Sequence, residues 1–481
     1  MTRALRTGAG MRKRILAALL AWLVAAVGAL AEDAIAPDAF SFTGGTGRVT
    51  ITCPRLWLED GGARAEIVFS SPNYAYVKVD GVEYATTHEG ETSAAVVPVN
   101  VNRTTQILAM TTAMSAPHEI AYTLYVGVDA LSDGSALPGI AREDSLPLRY
   151  ARGFSIDRYA GGYALIDVKD SARYLVVPQG MAAPEGIAPD IVVLQRPLKN
   201  IYLAATSAMA LFDALDALDA VRLSGTQRDG WTVASAARAM DAGDMLFAGK
   251  YSEPDFELLL WEGCDLAVES MMISHAPKVK EMLELVGIPV FVDRSSYEPH
   301  PLGRVEWIKL YGVLTGREEA AQARFDEQAR IVEGLGEAGS TGKTVAFFYI
   351  NASGAPVVRA PSDYIARMIA LAGGRYAFED LGDEGDARAS VNITMEQFYQ
   401  AAADADFLVY NAAVDSPVES VDALLEKCPL LADFRAVREG NVWCTGKGLY
   451  QATDRLGEAA LDFHRMLAGE TEGLTFLYRL D

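Results

Sequence analysis

The cysteine and histidine side chains are the residues of this sequence best suited to metal binding or nucleophilic chemistry. The 481-residue chain contains four cysteines and five histidines, namely Cys53, Cys264, Cys428, Cys444, His88, His118, His275, His300 and His464. No two cysteines form a C-x-x-C pair, and no two histidines have the spacing of metal ligands on one helix. We therefore expect neither a site for a bare transition-metal ion nor a resident cofactor.

Cys428 and Cys444 are the only cysteines that lie close to each other in sequence. If the chain is exported, it folds where thiols oxidise, and a disulfide between these two residues is then one prediction. Isolated buried thiols are the alternative prediction. The spacing alone leaves both open.

A second candidate for chemistry is the segment GSTGKT at 339–344, which has the composition of a phosphate-binding loop. The first glycine of that motif is replaced by Glu337, and the segment follows a predicted helix and precedes a strand. A phosphate loop needs the reverse order, because the phosphate binds at a helix N-terminus. No nucleophile elbow, H-E-x-x-H motif or catalytic carboxylate pair is present either, so we predict that the protein is not an enzyme.

The charge of the chain excludes one large class of partner. Its 42 basic and 64 acidic residues give a formal charge of -22, and the basic residues form no concentrated patch in the sequence. Such a chain repels a phosphate backbone, so we expect no nucleic-acid partner. Half of the residues are apolar and 22% are charged, which is typical of a globular protein of two or three domains.

Residues 1–31 have the pattern of a secretory signal peptide. Five basic residues precede the apolar run Ile15–Ala31, which ends in an A-x-A-like cleavage site, and Met11 is a candidate start. A retained membrane anchor is the alternative, but 17 apolar residues are fewer than the roughly 20 that span a bilayer. No cysteine lies near the cleavage site for lipid attachment. We expect a periplasmic or otherwise extracytoplasmic protein.

The remaining chain changes character twice. Residues 47–129 contain short alternating runs separated by turn signals, of which Asp80-Gly81 is the clearest, and they predict a small antiparallel β domain resembling a sandwich. After about residue 145, apolar strands alternate with amphipathic helices, which indicates α/β structure.

We read this second region as two Rossmann-like α/β lobes, at 145–303 and 338–470. The predicted strands of the first lobe are 164–167, 174–177, 201–204, 266–268 and 289–292, and those of the second are 345–350, 407–410 and 441–443. One long, uninterrupted bridging helix at 304–337 is predicted to join the lobes. Such a clamp has its cleft at the carboxyl ends of the strands, where ligands of open α/β sheets bind.

Several segments of this region resemble the class III periplasmic-binding-protein-like substrate-binding proteins of ABC transporters. The matching segments are YSEPDFE at 251–257, EGCDLAVES at 262–270, GIPV at 287–290, HPLGRVEWIK at 300–309, LTGREE at 314–319, ITMEQF at 393–398, ADFLVY at 405–410 and VREGNVW at 437–443. The resemblance covers roughly residues 145–470 and leaves out the β domain. It implies a monomeric protein that binds iron-siderophore, haem or cobalamin complexes and passes them to a membrane permease.

Carried onto the loops that follow the predicted strands, the resemblance implies a set of ligand-binding residues. These are Ser207, Trp231, Tyr251, Met271, Met272, Arg294 and Tyr297 in the first lobe, and Tyr349, Asn351, Arg359, Tyr410, Asn411 and Tyr450 in the second. The residue types suit a bulky anionic chelate, because aromatic faces offer flat contact area and arginine binds anionic oxygen through charge-assisted hydrogen bonds. Core or surface packing is the alternative role of each aromatic residue and of the two methionines.

The same family docks on its permease through one acidic residue on each lobe. Glu396 occupies the second-lobe position. The first-lobe position, directly after Pro277, holds Lys278 instead, which leaves Glu281 and Glu306 as substitutes.

The choice among the ligand classes depends on whether the bound metal needs a ligand atom from the protein. We favour a ferric siderophore, because its iron is already saturated and needs only shape and charge from the protein, whereas haem or cobalamin is the alternative.

The β domain also contains SSPNYAY at 70–76, and a tyrosinate can hold ferric haem. A surface haem-capture or adhesion protein led by this domain is therefore a separate hypothesis, and a spacer is the simpler one.

Overall fold

The structure is a computed structural model that describes residues 34–44, 49–59, 62–102, 104–113, 118–128, 137–336, 339–382 and 390–481. The predicted signal peptide lies outside the described residues. The described residues divide into two compact units, those up to residue 142 with 182–191, and those of 143–181 with 192–481. None of the helices within the described ranges is both long and apolar enough to cross a bilayer.

The first unit is a pair of β-sheets packed around one apolar core. Its strands are β1 (Ala39–Gly44), β2 (Ile51–Glu59), β3 (Gly62–Phe69), β4 (Tyr74–Val79), β5 (Val82–Ala85), β6 (Thr87–Glu89), β7 (Thr92–Val99), β8 (Thr104–Thr111) and β9 (His118–Gly127). They form sheets of order β1-β9-β8-β4-β5 and β2-β3-β7-β6. The core receives side chains from both sheets, because inward and outward residues alternate along each strand.

Two sequence predictions for this unit can be compared with the strands. Asp80 and Gly81 both have positive φ and connect β4 to β5 with Val79 opposite Val82, which is the predicted two-residue hairpin turn. The predicted start at residue 47 is too late, because β1 pairs with β9 over its whole length. The edge strand β1 has no fully buried residue, and so it carries no strong alternating signal.

The second unit contains a five-stranded sheet of order β10-β11-β12-β13-β14. Its strands are β10 (Arg142–Ser145), β11 (Phe154–Tyr159), β12 (Tyr163–Val168), β13 (Arg173–Val177) and β14 (Ile191–Gln195). The prediction that 164–167 and 174–177 belong to the α/β layers is wrong, because β12 pairs antiparallel with both β11 and β13. The turns between these strands are too short to hold a crossover helix, which a parallel pair requires.

The first lobe proper is a parallel sheet of order β17-β16-β15-β20-β21. Its strands are β15 (Ile201–Leu203), β16 (Leu223–Ser224), β17 (Leu246–Phe247), β20 (Leu266–Ser270) and β21 (Val290–Asp293), with a small hairpin of β18 (Gly249–Lys250) and β19 (Glu253–Pro254). Its helices are α1 (Met209–Ala214), α2 (Ala234–Ala242), α3 (Phe256–Trp261) and α4 (Pro277–Leu285). The strand order reverses between β15 and β20, and a crevice is expected at such a switch point.

Three helices lead from the first lobe to the second: α5 (Pro301–Glu306), α6 (Ile308–Thr315) and α7 (Glu318–Gly336). The prediction of one uninterrupted bridging helix at 304–337 is therefore wrong. Gly316 has a φ of 72° and ends α6 in the left-handed conformation. The chain then turns so that α7 packs against α6, and a Cβ atom added to Gly312 would lie 2.7 Å from the Cβ of Ala321.

The second lobe is a mixed sheet of order β25-β23-β22-β26-β27-β28, with β24 paired to β22. Its strands are β22 (Thr344–Ile350), β23 (Pro356–Arg359), β24 (Arg375–Tyr376), β25 (Ser390–Asn392), β26 (Phe407–Tyr410), β27 (Val442–Thr445) and β28 (Leu477–Arg479). Its helices are α8 (Tyr364–Leu371), α9 (Met395–Ala402), α10 (Val421–Lys427), α11 (Arg435–Arg438) and α12 (Leu456–Ala468). The central strands β22, β26 and β27 are parallel and coincide with the three predicted strands.

One apolar core continues through both lobes and the helices between them. It includes Phe291 of the first sheet, Tyr311 and Phe325 of α6 and α7, and Phe347 of the second sheet. Side chains in a protein interior are closely packed and resist sliding past each other. This shared core therefore holds the two lobes as one body. The loops at the carboxyl ends of the strands are thereby held facing each other.

Candidate ligand-binding cleft

A cavity of about 310 Å³ lies between the lobes, at the carboxyl ends of β15, β20 and β21 on one side and of β23 and β27 on the other. Its lining residues are Thr206, Ser207, Ser270, Met272, Ser295, Ser296, Arg304, Arg359, Tyr364, Leu449, Tyr450, Thr453 and Leu456. We call this space the cleft. Its position is the one at which open α/β sheets bind ligands.

Arg359 is held rigidly in the second-lobe wall. It is the last residue of β23, and the turn that follows places Asp363 at the N-cap of α8, where its carboxylate accepts a hydrogen bond from the amide of Ile365 at 3.0 Å. The same carboxylate binds Arg359 through two parallel bonds, Nε–Oδ1 at 3.0 Å and Nη2–Oδ2 at 2.7 Å. The guanidinium also lies 5.5 Å from the ring centroid of Tyr450. A bidentate, buried pair of this kind fixes the orientation of the guanidinium.

Arg304 brings a second guanidinium to the cleft from α5. Its Nε donates to the carbonyl of Glu298 at 3.0 Å, and its guanidinium stacks on Tyr364 with 3.6 Å to the ring centroid. Burial lowers its pKa from the ordinary value, but an arginine stays charged near neutral pH. Its Nη2 lies 3.9 Å from the Asp363 carboxylate, so two guanidiniums share this one nearby carboxylate.

The opposite wall is built from hydroxyl groups held in place by a buried carboxylate. Asp293 ends β21 and accepts hydrogen bonds from the amide and hydroxyl of Ser295, at 3.1 and 2.6 Å, and from the hydroxyl of Tyr311. Burial raises the pKa of Asp293, and the hydrogen bonds from Ser295, Tyr311 and Ser207 oppose that rise. The Asp293 carboxylate thus fixes the loop that carries Ser295 at the cleft.

Gln451 connects the two lobes across a neighbouring space. Its Oε1 accepts from the amide and the hydroxyl of Thr232, both at 2.8 Å, and its Nε2 donates to the carbonyl of Gly230 at 2.7 Å. We call these three bonds the Gln451 bridge. A cavity of about 350 Å³ lies beside it and shares Leu449 with the cleft.

The structure brings four of the predicted ligand-binding residues to the cleft: Ser207, Met272, Arg359 and Tyr450. Asn411 supports one of them, because its Nδ2 donates to the Tyr450 hydroxyl at 2.8 Å. The Asn411 Oδ1 is buried and has no hydrogen-bond partner among the described residues.

Other predicted residues do not line the cleft, and each of them is engaged in packing or in local hydrogen bonds. Trp231 is buried and donates to Ser224 Oγ at 3.1 Å, and Tyr349 packs against the core. The Tyr410 hydroxyl binds Asp415. Asn351 accepts hydrogen bonds from Ser353 and Ala355 and so closes its own loop.

The remaining predicted residues lie on other surfaces of the first lobe. Met271 and Arg294 line a separate cavity of about 290 Å³, in which Arg294 pairs with Asp170 at 3.7 Å. Tyr297 is exposed beneath the Arg294 guanidinium, and Tyr251 does not line the cleft. The loops after β20 and β21 do reach the cleft, through Met272 and Ser295, so side-chain direction is what separates Met271 and Arg294 from it.

Nine of the thirteen lining residues of the cleft were not predicted, and the two of these that matter most for charge are Arg304 and Tyr364, on which the Arg304 guanidinium stacks. Both lie at the starts of helices, whereas the predicted residues lie in loops that follow predicted strands. Proline at position 301 and the N-capping His300 mark the start of α5 in the sequence. Placing that start at residue 301 would have put Arg304 on the first turn of a helix facing the cleft.

The three acidic docking candidates differ in exposure. Glu396, in the first turn of α9, and Glu281, on α4, are exposed. Glu306 is fully buried, and its carboxylate accepts hydrogen bonds from the amides of Arg149, Tyr150 and Ala151 and from Lys309 Nζ. The prediction that Glu306 docks on a permease is therefore wrong, because its carboxylate holds the chain internally. Lys278 is exposed in the first turn of α4.

Two other predictions are settled by burial. All four cysteines are free thiols, so the predicted disulfide between Cys428 and Cys444 is wrong, and burial raises the pKa of both. In the β unit, Tyr74 is buried and its hydroxyl lies 2.9 Å from that of Tyr122, while burial raises its pKa. Tyr76, the partly exposed tyrosine of the same 70–76 segment, donates its hydroxyl proton to Glu119 Oε1 at 2.9 Å, so both tyrosine hydroxyls of the segment are engaged within the β unit.

Comparison with known proteins gives one family and several relatives. The family model described as periplasmic binding protein matches residues 205–448, half of the chain. Two uncharacterized lipoproteins of Methanocaldococcus jannaschii, MJ0878 and MJ0872, are each 23% identical, over 56% and 69% of this chain and 64% and 86% of their own lengths. The chain thus spans just under two thirds of the first of these relatives.

Several solved structures are also similar. A periplasmic heme binding protein and a vitamin B12 binding protein, both of Vibrio cholerae, superpose with TM-scores of 0.46 and 0.41 at 17% and 14% identity. They cover 55% and 56% of this chain and 98% and 97% of their own chains. An Fe3+-hydroxamate transport protein of Saccharomonospora viridis superposes with a TM-score of 0.43 at 19% identity, covering 56% of this chain and 93% of its own.

Proposed function

Since the chain belongs to the periplasmic binding protein family, we propose that it is the extracytoplasmic solute-binding component of an ABC importer. In this proposal it captures a chelated metal complex in the cleft, with a ferric siderophore as the favoured ligand, and delivers it to a permease in the membrane. It acts as a monomer, binds without turnover and reaches its compartment through a cleaved signal peptide.

The observation that carries the ligand assignment is the pair of guanidiniums of Arg304 and Arg359 at the cleft. Each is held by bonds within the protein, so its orientation does not have to be organised when a ligand enters. Two fixed cations beside one nearby carboxylate, Asp363, favour an anionic ligand. Ferric siderophores with carboxylate or catecholate oxygens have this charge.

The aromatic and hydroxyl groups of the cleft support a bulky ligand of mixed polarity. Tyr364 and Tyr450 lie against the two guanidiniums, and Ser207, Ser270 and Ser295 supply hydroxyls on the facing wall. Flat apolar surface of a chelate packs on aromatic faces while its oxygens accept hydrogen bonds. A chelate whose iron is already saturated requires nothing more from the protein.

Haem or cobalamin is the second candidate ligand, and Tyr450 favours it. Tyr450 lines the cleft, and a tyrosine oxygen can be an axial ligand of haem iron. Burial raises the pKa of Tyr450, but unlike Tyr74 it has a cation beside it, because the Arg359 guanidinium opposes that rise and so favours the tyrosinate. The third hypothesis, haem capture by the β unit, loses its main support because Tyr74 is buried against Tyr122.

The deciding experiment is calorimetric titration of the purified protein with ferric siderophores of carboxylate, catecholate and hydroxamate type, and with hemin and cobalamin. We expect 1:1 binding of an anionic ferric siderophore with a dissociation constant below about 10 μM, equivalent to about -7 kcal/mol. Iron-free siderophore and ferric citrate serve as ligand controls. If no chelate binds below that value, the ligand assignment is wrong. If hemin alone binds with a shifted Soret band, the second candidate replaces the first.

A matched pair of arginine variants locates the site. Arg359→Gln removes a cleft cation and is expected to weaken siderophore binding at least tenfold. Arg435→Gln removes a cation of the same lobe that pairs with Asp406 at 2.8 Å, before β26 and so at the amino end of the sheet. It is expected to bind as the unmodified protein does. Equal loss in both variants would contradict binding in the cleft.

The permease contact is tested through the exposed acid of the second lobe. Glu396→Lys reverses one charge in the first turn of α9 and is expected to reduce uptake by cells at least several-fold while siderophore binding in solution stays unchanged. Glu470→Lys, an exposed acid beyond α12, is the charge-matched control. Normal uptake by the Glu396 variant would exclude this residue from the contact.

A further inference from the structure

A second cavity, of about 530 Å³, lies outside the cleft and is lined by four arginines. We call it the basic pocket and define it by Arg149, Tyr150, Arg152, His300, Arg367 and Arg375. The single acidic residue that lines it is Glu379. In a chain of net charge -22, such a concentration of cations is unexpected for a surface without a ligand.

The arginines of the basic pocket divide into paired and unpaired ones. Arg149 binds Glu333, and Arg375 lies 3.5 Å from Glu379, so their charges are largely compensated. The side chains of Arg152 and Arg367 have no hydrogen bond or ion pair with any of the described residues. Two guanidiniums without a counter-charge therefore face the same space.

His300 adds a third donor. Its Nδ1 accepts a hydrogen bond from the amide of Leu302 at 3.1 Å, which leaves the proton of the neutral ring on Nε2. The ring stacks on Tyr150, with 4.6 Å between centroids, and is thereby held in place. Burial, Arg367 and Arg152 lower its pKa to about 4, against the opposing effect of Glu306. Burial first, and the two guanidiniums second, keep the imidazole neutral, so that its Nε2 remains a donor without adding a charge to the pocket.

The donors come from both lobes. Arg152 precedes β11, His300 caps α5, and Arg367 lies on α8 of the second lobe. A planar carboxylate matches the edge of one guanidinium, whereas a tetrahedral phosphate presents acceptor oxygens in several directions at once. Donors that converge from different elements therefore suit a phosphate group better.

We propose that the basic pocket is a second binding site, separate from the cleft, for a small soluble molecule that carries a phosphate or diphosphate group. Arg152 and Arg367 bind the phosphate oxygens, and His300 donates from Nε2. A phospholipid headgroup offers the same chemistry, but the acidic chain is repelled by an anionic membrane surface. The site does not depend on which chelate occupies the cleft.

Calorimetric titration of the full chain with sodium pyrophosphate, at constant ionic strength and without divalent cations, tests this proposal. We expect saturable 1:1 binding with a dissociation constant below about 1 mM. The Arg152→Gln/Arg367→Gln variant is expected to bind at least tenfold more weakly. Arg238→Gln/Arg330→Gln removes two exposed arginines from α2 and α7 and is expected to bind as the unmodified chain does.

Histidine NMR assigns the binding to the pocket. Pyrophosphate neutralises the two cations beside His300, so the His300 pKa is expected to rise by about one unit or more in the complex, and not in the Arg152/Arg367 variant. All four substituted arginines are exposed, and unchanged melting temperatures verify that the variants fold. An absence of saturable binding, or full binding by the Arg152/Arg367 variant with His300 unaffected, would overturn the proposal.

Vesicles distinguish the two sources of phosphate. The protein is expected not to co-sediment with phosphatidylcholine vesicles that contain about 20% phosphatidic acid, at the ionic strength of the titration. Co-sedimentation that disappears in the Arg152→Gln/Arg367→Gln variant would overturn the assignment to a soluble ligand. Siderophore binding in the cleft is measured on the same variants, and we expect it to be unchanged.

Discussion

Glu269 is a buried acid of β20 whose charge the surrounding residues do not balance. Both of its carboxylate oxygens are buried and have no hydrogen-bond partner among the described residues. Burial raises its pKa to about 8, so the side chain is mostly protonated at neutral pH. The nearby Asp293 differs, because four groups on three residues, Ser295, Tyr311 and Ser207, donate hydrogen bonds to it. Both acids are buried, so the number of hydrogen-bond donors around each carboxylate decides which of them destabilises the fold when it is charged.

The folded-state pKa of Glu269 lies above its ordinary value, so its effect on stability depends on pH. The folded state is favoured by this group below about pH 4.5, and that advantage is lost as the pH rises through about 8. We expect Glu269→Gln to match the unmodified chain near pH 4.5 and to be more stable by about 5 kcal/mol at pH 9. Chemical denaturation at several pH values measures the difference.

The exposed Glu281 supplies the control for that comparison. Glu281→Gln removes a carboxylate from the surface of α4 and is expected to change the free energy of unfolding by less than about 0.5 kcal/mol at either pH. A Glu269 variant whose stability parallels the unmodified chain from pH 4.5 to 9 would show that Glu269 is ionised without cost in the folded protein.

At the scale of elements, the close packing of α6 on α7 depends on glycine. A Cβ atom on Gly312 would lie 2.7 Å from the Cβ of Ala321 and 3.2 Å from the carbonyl of Arg317. Gly334, on the exposed side of α7, has no neighbouring atom within 4 Å of such a Cβ. A glycine-to-alanine substitution therefore brings the new methyl group too close to its neighbours at Gly312 on α6, whereas at Gly334 on α7 it meets open space.

We expect Gly312→Ala to destabilise the second unit by about 1–3 kcal/mol, because the helices must separate to admit the methyl group. Gly334→Ala is expected to stabilise it by about 0.5–1 kcal/mol, because alanine loses less backbone entropy in a helix. Scanning calorimetry measures both as shifts of the melting temperature, by roughly 2–4 °C per kcal/mol. Shifts of the same sign would contradict the packing argument.

The elements also show what the sequence could predict. Helices α8 and α9 are amphipathic, and each is capped by a side chain that the sequence displays, Asp363 and Thr394. The parallel strands β22, β26 and β27 are continuous buried runs. Helix caps and apolar runs depend on residues that are close in sequence, so contacts with distant parts of the chain do not change the structure that they predict.

The failures of prediction are non-local. Nothing in the apolar pattern of 164–177 distinguishes an antiparallel hairpin from two strands of a parallel sheet. Gly316 ends α6 in the left-handed conformation, and the helical pattern on its two sides does not show that the chain turns there. The cleft was found at the right edge of the sheets, but side-chain direction separated Arg359 and Tyr450 from Tyr410 and Arg294.

At the scale of the whole second unit, the lobes are joined in two different ways. The continuous apolar core around Tyr311 and Phe325 is large and dry, whereas the Gln451 bridge consists of three hydrogen bonds from one side chain. Hydrogen bonds of this kind contribute about 0.5–1.5 kcal/mol each. Any opening of the lobes at the Gln451 bridge therefore breaks the polar connection first and leaves the apolar one intact.

The Gln451→Ala variant tests, without a ligand, whether the lobes open at the Gln451 bridge while the apolar core stays intact. The amide of Thr232 donates to Gln451 Oε1 at 2.8 Å, so the loss of the Gln451 bridge is expected to speed hydrogen exchange at Thr232 about tenfold, equivalent to about 1.4 kcal/mol. Exchange at Phe347, in the buried sheet of the second lobe, is expected to stay unchanged. Gln322→Ala, which removes an exposed bond to Asp326 on α7, is the matched control. If Thr232 exchanges equally slowly in both variants, the lobes do not open at the Gln451 bridge, and a ligand must enter the cleft by another route.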